Sequence, residues 1–230
     1  MIAMRSARPC TLMLNVRSDN ESSNDPRWSA VLALLAVGGL YYAMPDPLTL
    51  GPGWLLPAVI VLLLVPAMAA RRAGYSRLNY VLGLLLSAVI TIAMIWSLAL
   101  LIAGLLQKRQ AAPELLRGAV ALWFTNILVF ASWYWRLDAG GPNARADRAF
   151  HTEGDFLFPQ MMLPPSLAAR QQRWKPGFVD YLFLAFNTST AFSPTDVPVL
   201  SRWAKILMMI QSVISLGTIA LVAARAVNIL

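Results

Sequence analysis

The sequence predicts an all-α integral membrane protein, with five transmembrane helices plus a re-entrant pore-type half-helix before the last span. Three observations predict it: the composition, the spacing of long apolar runs that end in aromatic or basic residues, and one apolar run too short to cross. Of 230 residues, 58% are hydrophobic and 13% charged, with a mean hydropathy of +0.59. A soluble protein averages about 25% charged residues. The polar side chains are too few to cover a core of that size, so the surplus apolar surface faces lipid. The net charge is +8. The basic residues cluster at the ends of apolar runs, where they anchor to anionic headgroups and set topology, so nucleic-acid binding is not expected. Cys10 and His151 are the only cysteine and histidine. One chain therefore offers no disulfide framework and no ligand set for zinc or haem, and neither a metal nor a cofactor is expected. His151 lies in a polar loop with Thr152, Glu153 and Asp155 and reads as a solvated loop residue.

Residues 1–27 carry scattered charge and a Ser/Asn/Asp-rich end, and read as a disordered tail. The first span runs from Trp28 to about Met44, with Trp28, Tyr41 and Tyr42 placed for the two interfaces. Pro45, Pro47, Gly51, Pro52 and Gly53 make an uncharged turn. The second span, Trp54 to Ala70, stops at Arg71 and Arg72, and Pro66 should kink or end it. The third, Leu78 to Leu106, would be about 43 Å long as a helix, so it must tilt, bend near Gly83 or project from the bilayer. Pro113 and Glu114 suit the first turn of a fourth helix that closes at Trp133, Tyr134, Trp135 and Arg136. Residues 137–177 form a long extramembrane connection rich in Pro, Gly and acidic groups. The last span runs from Ile206 to about Ala224. This divides the chain into the tail, a three-helix membrane region (28–112) and a module of outer helix, loop, half-helix (178–192) and inner helix (202–228), spanning 113–230.

Phe178 to Phe192 is the informative segment. As a helix it would span about 22 Å, against a hydrocarbon core of roughly 30 Å. It ends in hydroxyls and a proline, not in a basic anchor. Such a segment can enter the membrane and turn back if protein shields its non-helical return from lipid. A short complete span or an interfacial helix are the alternatives.

The stretch from Asp180 to Asp196 (DYLFLAFNTSTAFSPTD) resembles the pore helix and selectivity loop of the potassium channel family, whose pattern is roughly D-x-L-Y-F-S-F-x-T-x-T-T-V-G-Y-G-D. Asp180, Leu182, Phe186, Thr188, Thr190 and Asp196 fall on matching positions without a gap. Ser201-Arg202-Trp203 echoes the start of the family's inner helix, and the order of parts is the same. The likeness covers about the last 50 residues well and the fourth span by position, as in uncharacterised bacterial channel-like membrane proteins. It implies a pore module, a homo-oligomer (a tetramer) and monovalent cations as the passing species. The filter departs from the family. Ala191-Phe192-Ser193-Pro194-Thr195 stands where T-V-G-Y-G would be. The potassium filter needs two glycines to aim its carbonyls, and Ser193, Pro194 and Thr195 resist those angles, so potassium selectivity is not expected.

What remains is a pore loop lined by Thr188, Thr190, Ser193, Thr195 and Asp196, with Pro194 in its turn; four copies of Asp196 would make a cation-attracting ring. The same Ser193-Pro194-Thr195-Asp196 run also suits a simple turn that caps the next helix. Asp180 opens the pore helix. In the last span Gln211, Ser215 and Thr218 share one helical face, which either lines water or packs helix on helix. Thr125 and Asn126 read as interhelical hydrogen-bonding residues. Positive charge gives no clear orientation, since Arg71, Arg72 and Arg77 oppose Lys108, Arg109 and Arg117 across the third span. The channel likeness places the long loop outside. The sequence thus predicts an ion-channel-like multi-pass protein of the cell (inner) membrane, with a non-conducting scaffold or partner subunit as the alternative. No acid–base pair or nucleophile motif suggests an enzyme.

Overall fold

The computed structural model describes residues 28–107, 112–148, 151, 153–162, 174–190 and 197–227. The tail 1–27 and the run Ala191–Asp196 lie outside them. Seven α-helices are described, in the order α1 (Trp28–Tyr42), α2 (Leu55–Arg72), α3 (Ser76–Gln107), α4 (Ala112–Leu137), α5 (Gly141–Asp147), α6 (Phe178–Thr190) and α7 (Arg202–Val227). Helices α2, α3, α4 and α7 are each long and apolar enough to cross a membrane, and α1, with 15 residues, is shorter. Among the described residues the regular structure is helical apart from one isolated bridge, Phe156 to Val199, and the long apolar helices mark a membrane protein.

The helix ends follow from local chemistry. Helix α2 runs through Pro66 and ends only after Arg71 and Arg72, two cations that suit the negative end of the helix dipole. The proline therefore does not end it, because neighbouring helices supply the packing that holds the ladder on either side. Its stop is Gly74, at φ +81°, with Tyr75 N–H donating to the Ala70 carbonyl (2.8 Å) and Gly74 N–H to that of Arg71 (3.1 Å). This glycine C-cap reverses the chain directly into α3. Asn79 Nδ2 donates back to the Ala67 carbonyl (2.8 Å), so α2 and α3 are antiparallel. Between α1 and α2, Thr49 Oγ1 donates to the carbonyls of Asp46 and Gly51, and Leu50 N–H to Tyr41 Oη, tying the proline-rich turn together.

Helix α4 is the hub. Of its most apolar window 67% is buried, against 17% for α7 on the outside. One apolar cluster joins α1, α2 and α3 through Leu34, Val37, Ile60, Leu86 and Ile90, with Val129 entering from α4. A second gathers Phe130, Tyr134, Tyr181, Leu184 and Ile214 from α4, α6 and α7. Close approaches to α4 depend on missing Cβ atoms. Leu48, fully buried, lies against Gly118, where a Cβ would stand 2.2 Å from Leu48 Cδ1. The Arg136 guanidinium lies against α3 at Gly83, where a Cβ would stand 1.8 Å from Nη1. Gly83 thus provides a notch for an arginine in an otherwise unbroken helix.

Helices α6 and α7 run parallel, although they follow one another in the chain. Ala185 pairs with Gln211, Thr188 with Ser212 and Ser189 with Ser215, so the numbers rise together. Both helices start at the level where α4 ends. Tyr181 Oη donates to Asp138 Oδ2 (2.5 Å), Asp155 N–H to Asp138 Oδ1 (2.6 Å), and Trp203 Nε1 to Asp155 Oδ1 (3.1 Å). The 13 residues of α6 descend about 20 Å. The chain between Thr190 and Arg202, at roughly 3.3–3.6 Å per residue, is long enough to climb back.

A double-mutant cycle checks the α4 hub. Gly118→Ala and Leu48→Ala should each lower the unfolding temperature in detergent, Leu48→Ala by the equivalent of about 2–4 kcal/mol. Combined, they should cost clearly less than their sum, because the alanine at 48 vacates the space the new Cβ needs.

Candidate functional site

The seam between α4, α6 and α7 holds most of the polar side chains buried among the helices. Gln211, fully buried in α7, donates through Nε2 to the Ala185 carbonyl (2.6 Å) and to Ser189 Oγ (2.7 Å), and its Oε1 accepts from Tyr134 Oη (2.5 Å). Ser215 Oγ donates to the Ser189 carbonyl (2.5 Å) and accepts from Trp123 Nε1 (3.1 Å). Asn126 Nδ2 reaches the Gln211 carbonyl (3.2 Å) and Ser189 Oγ (3.4 Å). In an apolar medium each such group must be satisfied within the protein, so the seam fixes the three helices in one register.

The sequence-derived candidates divide accordingly. Gln211, Ser215 and Thr218 share one face, and that face turns inward to α4 and α6, with all three at 2% exposure or less. Thr218 Oγ1 returns to the Ile214 carbonyl of its own helix (2.8 Å). Thr188 is buried, its hydroxyl on the Leu184 carbonyl (2.8 Å), and the Thr190 hydroxyl donates to the Asn187 carbonyl (3.1 Å). Asp180 works at the start of α6, where its Oδ2 accepts the Gly177 N–H (2.7 Å), half of a capping box. Asn126 bonds between helices as expected, whereas Thr125 Oγ1 has no partner among the described residues. Ser193, Pro194, Thr195 and Asp196 lie outside the described residues.

The loop supplies a second polar cluster. Two extended pieces meet where Phe156 bridges Val199, with Leu157 N–H on the Pro198 carbonyl and Leu200 N–H on that of Asp155. Beneath this cap Asp138 is fully buried, and Arg145 Nη1 donates to its carbonyl (2.8 Å) while its guanidinium lies over the Tyr181 ring (5.1 Å). His151 corrects the expectation of a solvated loop histidine: it is only 7% exposed. It packs edge-on to Trp174, and its Nε2 lies 3.9 Å from Asp138 Oδ2, beyond hydrogen-bond reach. Neither ring nitrogen has a hydrogen-bond partner among the described residues. The reason is the aromatic content of the loop, where Phe156, Phe158 and Trp174 pull the polar residues between them under cover. Those aromatics were the available signal in the sequence. Burial, and then the charges of Arg145, Arg148 and Lys175, hold the His151 imidazole at about 4, below its ordinary 6.5.

No protein-family model, curated protein or solved structure matches the chain.

Two measurements check this geometry. Gln211→Leu leaves Tyr134 Oη without its acceptor and removes the side-chain donor to Ser189 Oγ and the Ala185 carbonyl, and should destabilise the protein by about 2–4 kcal/mol in a detergent unfolding assay. His151 is neutral in the folded protein down to about pH 4, whereas an unfolded chain protonates it near 6.5. Its stabilising contribution is therefore complete above pH 6.5 and is lost as the pH falls to about 4, amounting to up to about 3 kcal/mol. Unfolding temperatures at pH 7.5 and 5 should differ less in His151→Asn than in the parent protein.

Proposed function

We propose that this chain is the subunit of an ion-channel-like pore-loop protein of the cell (inner) membrane, not selective for potassium. In this reading α1, α2, α3, α4 and α7 are the five spans, and α6 is a re-entrant half-helix. Several copies, four by the channel resemblance, surround a path for monovalent cations. The observation that carries it is the direction of α6. It starts level with α7, runs parallel to it and packs between α4 and α7, and it is too short to reach the opposite face. A half-helix aimed into the bilayer by an outer and an inner helix is the arrangement a pore loop needs. Asp196, which the channel resemblance assigns to the pore loop, is the charge that would attract cations.

A second reading, a non-conducting scaffold or partner subunit with a pore-domain fold, is favoured by one specific feature. Gln211, Ser215 and Thr218 are spent on internal packing, so beyond Lys205 the exposed residues of α7 up to Ala224, Ile206, Met209, Ile210, Val213, Leu216 and Ile219 among them, are all apolar. An aqueous path would then depend on the loop after Thr190 alone.

Flux through liposomes decides between them. The purified protein should pass monovalent cations with little preference for potassium, and Asp196→Asn should lower the flux severalfold without lowering the unfolding temperature. Correctly inserted protein that conducts no better than empty liposomes supports the scaffold.

A further inference from the structure

The directions of the helices settle which charges share an end of the bundle, and this the linear charge pattern leaves ambiguous. Helix α3 is antiparallel to α2 and to α4, with Asn79 beside Ala67 and Thr91 beside Trp133. The α2–α3 turn therefore lies at the same end as the close of α4, the cap and the starts of α6 and α7. Among the described residues, every lysine and arginine except Arg117 and Arg225 belongs to this end. Arg71, Arg72 and Arg77 flank the α2–α3 turn, Arg136, Arg145, Arg148 and Lys175 lie at the close of α4 and in the cap, and Arg202 and Lys205 begin α7. Of the 11 described basic residues, nine lie at the cap end and two at the other. The rule that short loops rich in Lys and Arg stay in the cytoplasm then points one way.

The same end is shaped for a lipid surface. Arg71, Arg72 and Arg77 are exposed, and no carboxylate pairs with them among the described residues. Tyr75 beside them is 66% exposed, and Trp28 at the start of α1 is 63% exposed, as amphipathic rings are at an interface. Next to Arg77 a shallow groove of about 550 Å³, lined by Tyr75, Ser76, Leu78 and Val81, runs from the turn along the apolar side of α3. A cation above an apolar groove matches a phospholipid, with the phosphate at the arginine and the acyl chain below.

We infer that the cap end is the cytoplasmic end of the molecule, seated on anionic phospholipid headgroups through Arg71, Arg72 and Arg77. The long loop is then cytoplasmic, opposite to the side the channel likeness implies. Where α6 is a pore half-helix, as proposed above, it enters from the cytoplasm and the hairpin is inverted relative to potassium channels. The side assignment itself rests on helix directions and charge, so it stands or falls independently of whether the protein conducts.

Single cysteines in a Cys10→Ser background test the side. Pro52→Cys should react with a membrane-impermeant maleimide in intact cells, and Tyr75→Cys and Glu153→Cys only after permeabilisation. Labelling of Glu153→Cys or Tyr75→Cys in intact cells overturns the inference, and so does finding those two on opposite faces. For the headgroup contact, native mass spectrometry of the full-length protein with phosphatidylglycerol or phosphatidylcholine reads the retained lipid. The parent should retain phosphatidylglycerol preferentially, and the triple variant Arg71→Gln, Arg72→Gln, Arg77→Gln should retain about tenfold less of it. Equal retention by parent and variant overturns the headgroup contact.

Discussion

The hydrogen bonds of Gln211 are the constraint on which the rest of the C-terminal half depends. A carboxamide in a membrane-spanning helix is costly unless each of its donors and its acceptor find partners within the protein. Gln211 finds them on two different helices at once, at Ala185 and Ser189 in α6 and at Tyr134 in α4. Sliding α6 by one residue along α7 would turn these groups away from one another, so the satisfied state admits one register. Ser215 and Asn126 repeat the requirement one turn away and across the seam. Apolar packing between helices is nearly indifferent to sliding in a lipid solvent, and polar contacts of this kind supply the specificity that it lacks.

The register has a consequence at the other end of α6. Because α6 and α7 are parallel, their starts and the close of α4 come together, and three helix ends with their polar residues must be accommodated in one place. Asp138 and Asp155 do this work. One accepts from Tyr181 and from the Asp155 backbone, and the other accepts from Trp203, so two carboxylates link the three helices through the cap. The aromatic residues of the loop then cover the cluster. The result places a nearly buried histidine beside a buried carboxylate at the point where α6 is anchored, so protonation there would load directly on the join.

Outside the seam the surface is apolar. The side of α6 not covered by α4 and α7 carries Val179, Phe183 and Phe186, and the exposed side of α7 continues it. Such a surface is at ease against acyl chains or against another copy of the chain. A re-entrant segment favours the second, because non-helical backbone at membrane depth needs protein around it. This is the physical reason why the pore-loop proposal and the oligomer proposal belong together.

Much of the fold was legible in the sequence, because lipid imposes a simple rule. Apolar runs bounded by Trp, Tyr, Arg and Pro become helices, and the ends of α2, α4 and α6 follow from Arg71 and Arg72, from Pro113 and Glu114, and from Asp180. Composition alone made this a membrane protein, since too few polar side chains exist to cover the apolar ones. The shared face of Gln211, Ser215 and Thr218 was also visible, but a helical period cannot say whether a polar face meets water or another helix. Only the tertiary structure decided that it meets α4 and α6. Likewise His151 in a polar loop looked solvated, and only the folding of Phe156, Phe158 and Trp174 over it made it buried. Periodicity is a property of one helix and is written locally, whereas partnership depends on the directions of several helices, and these emerge only when they pack.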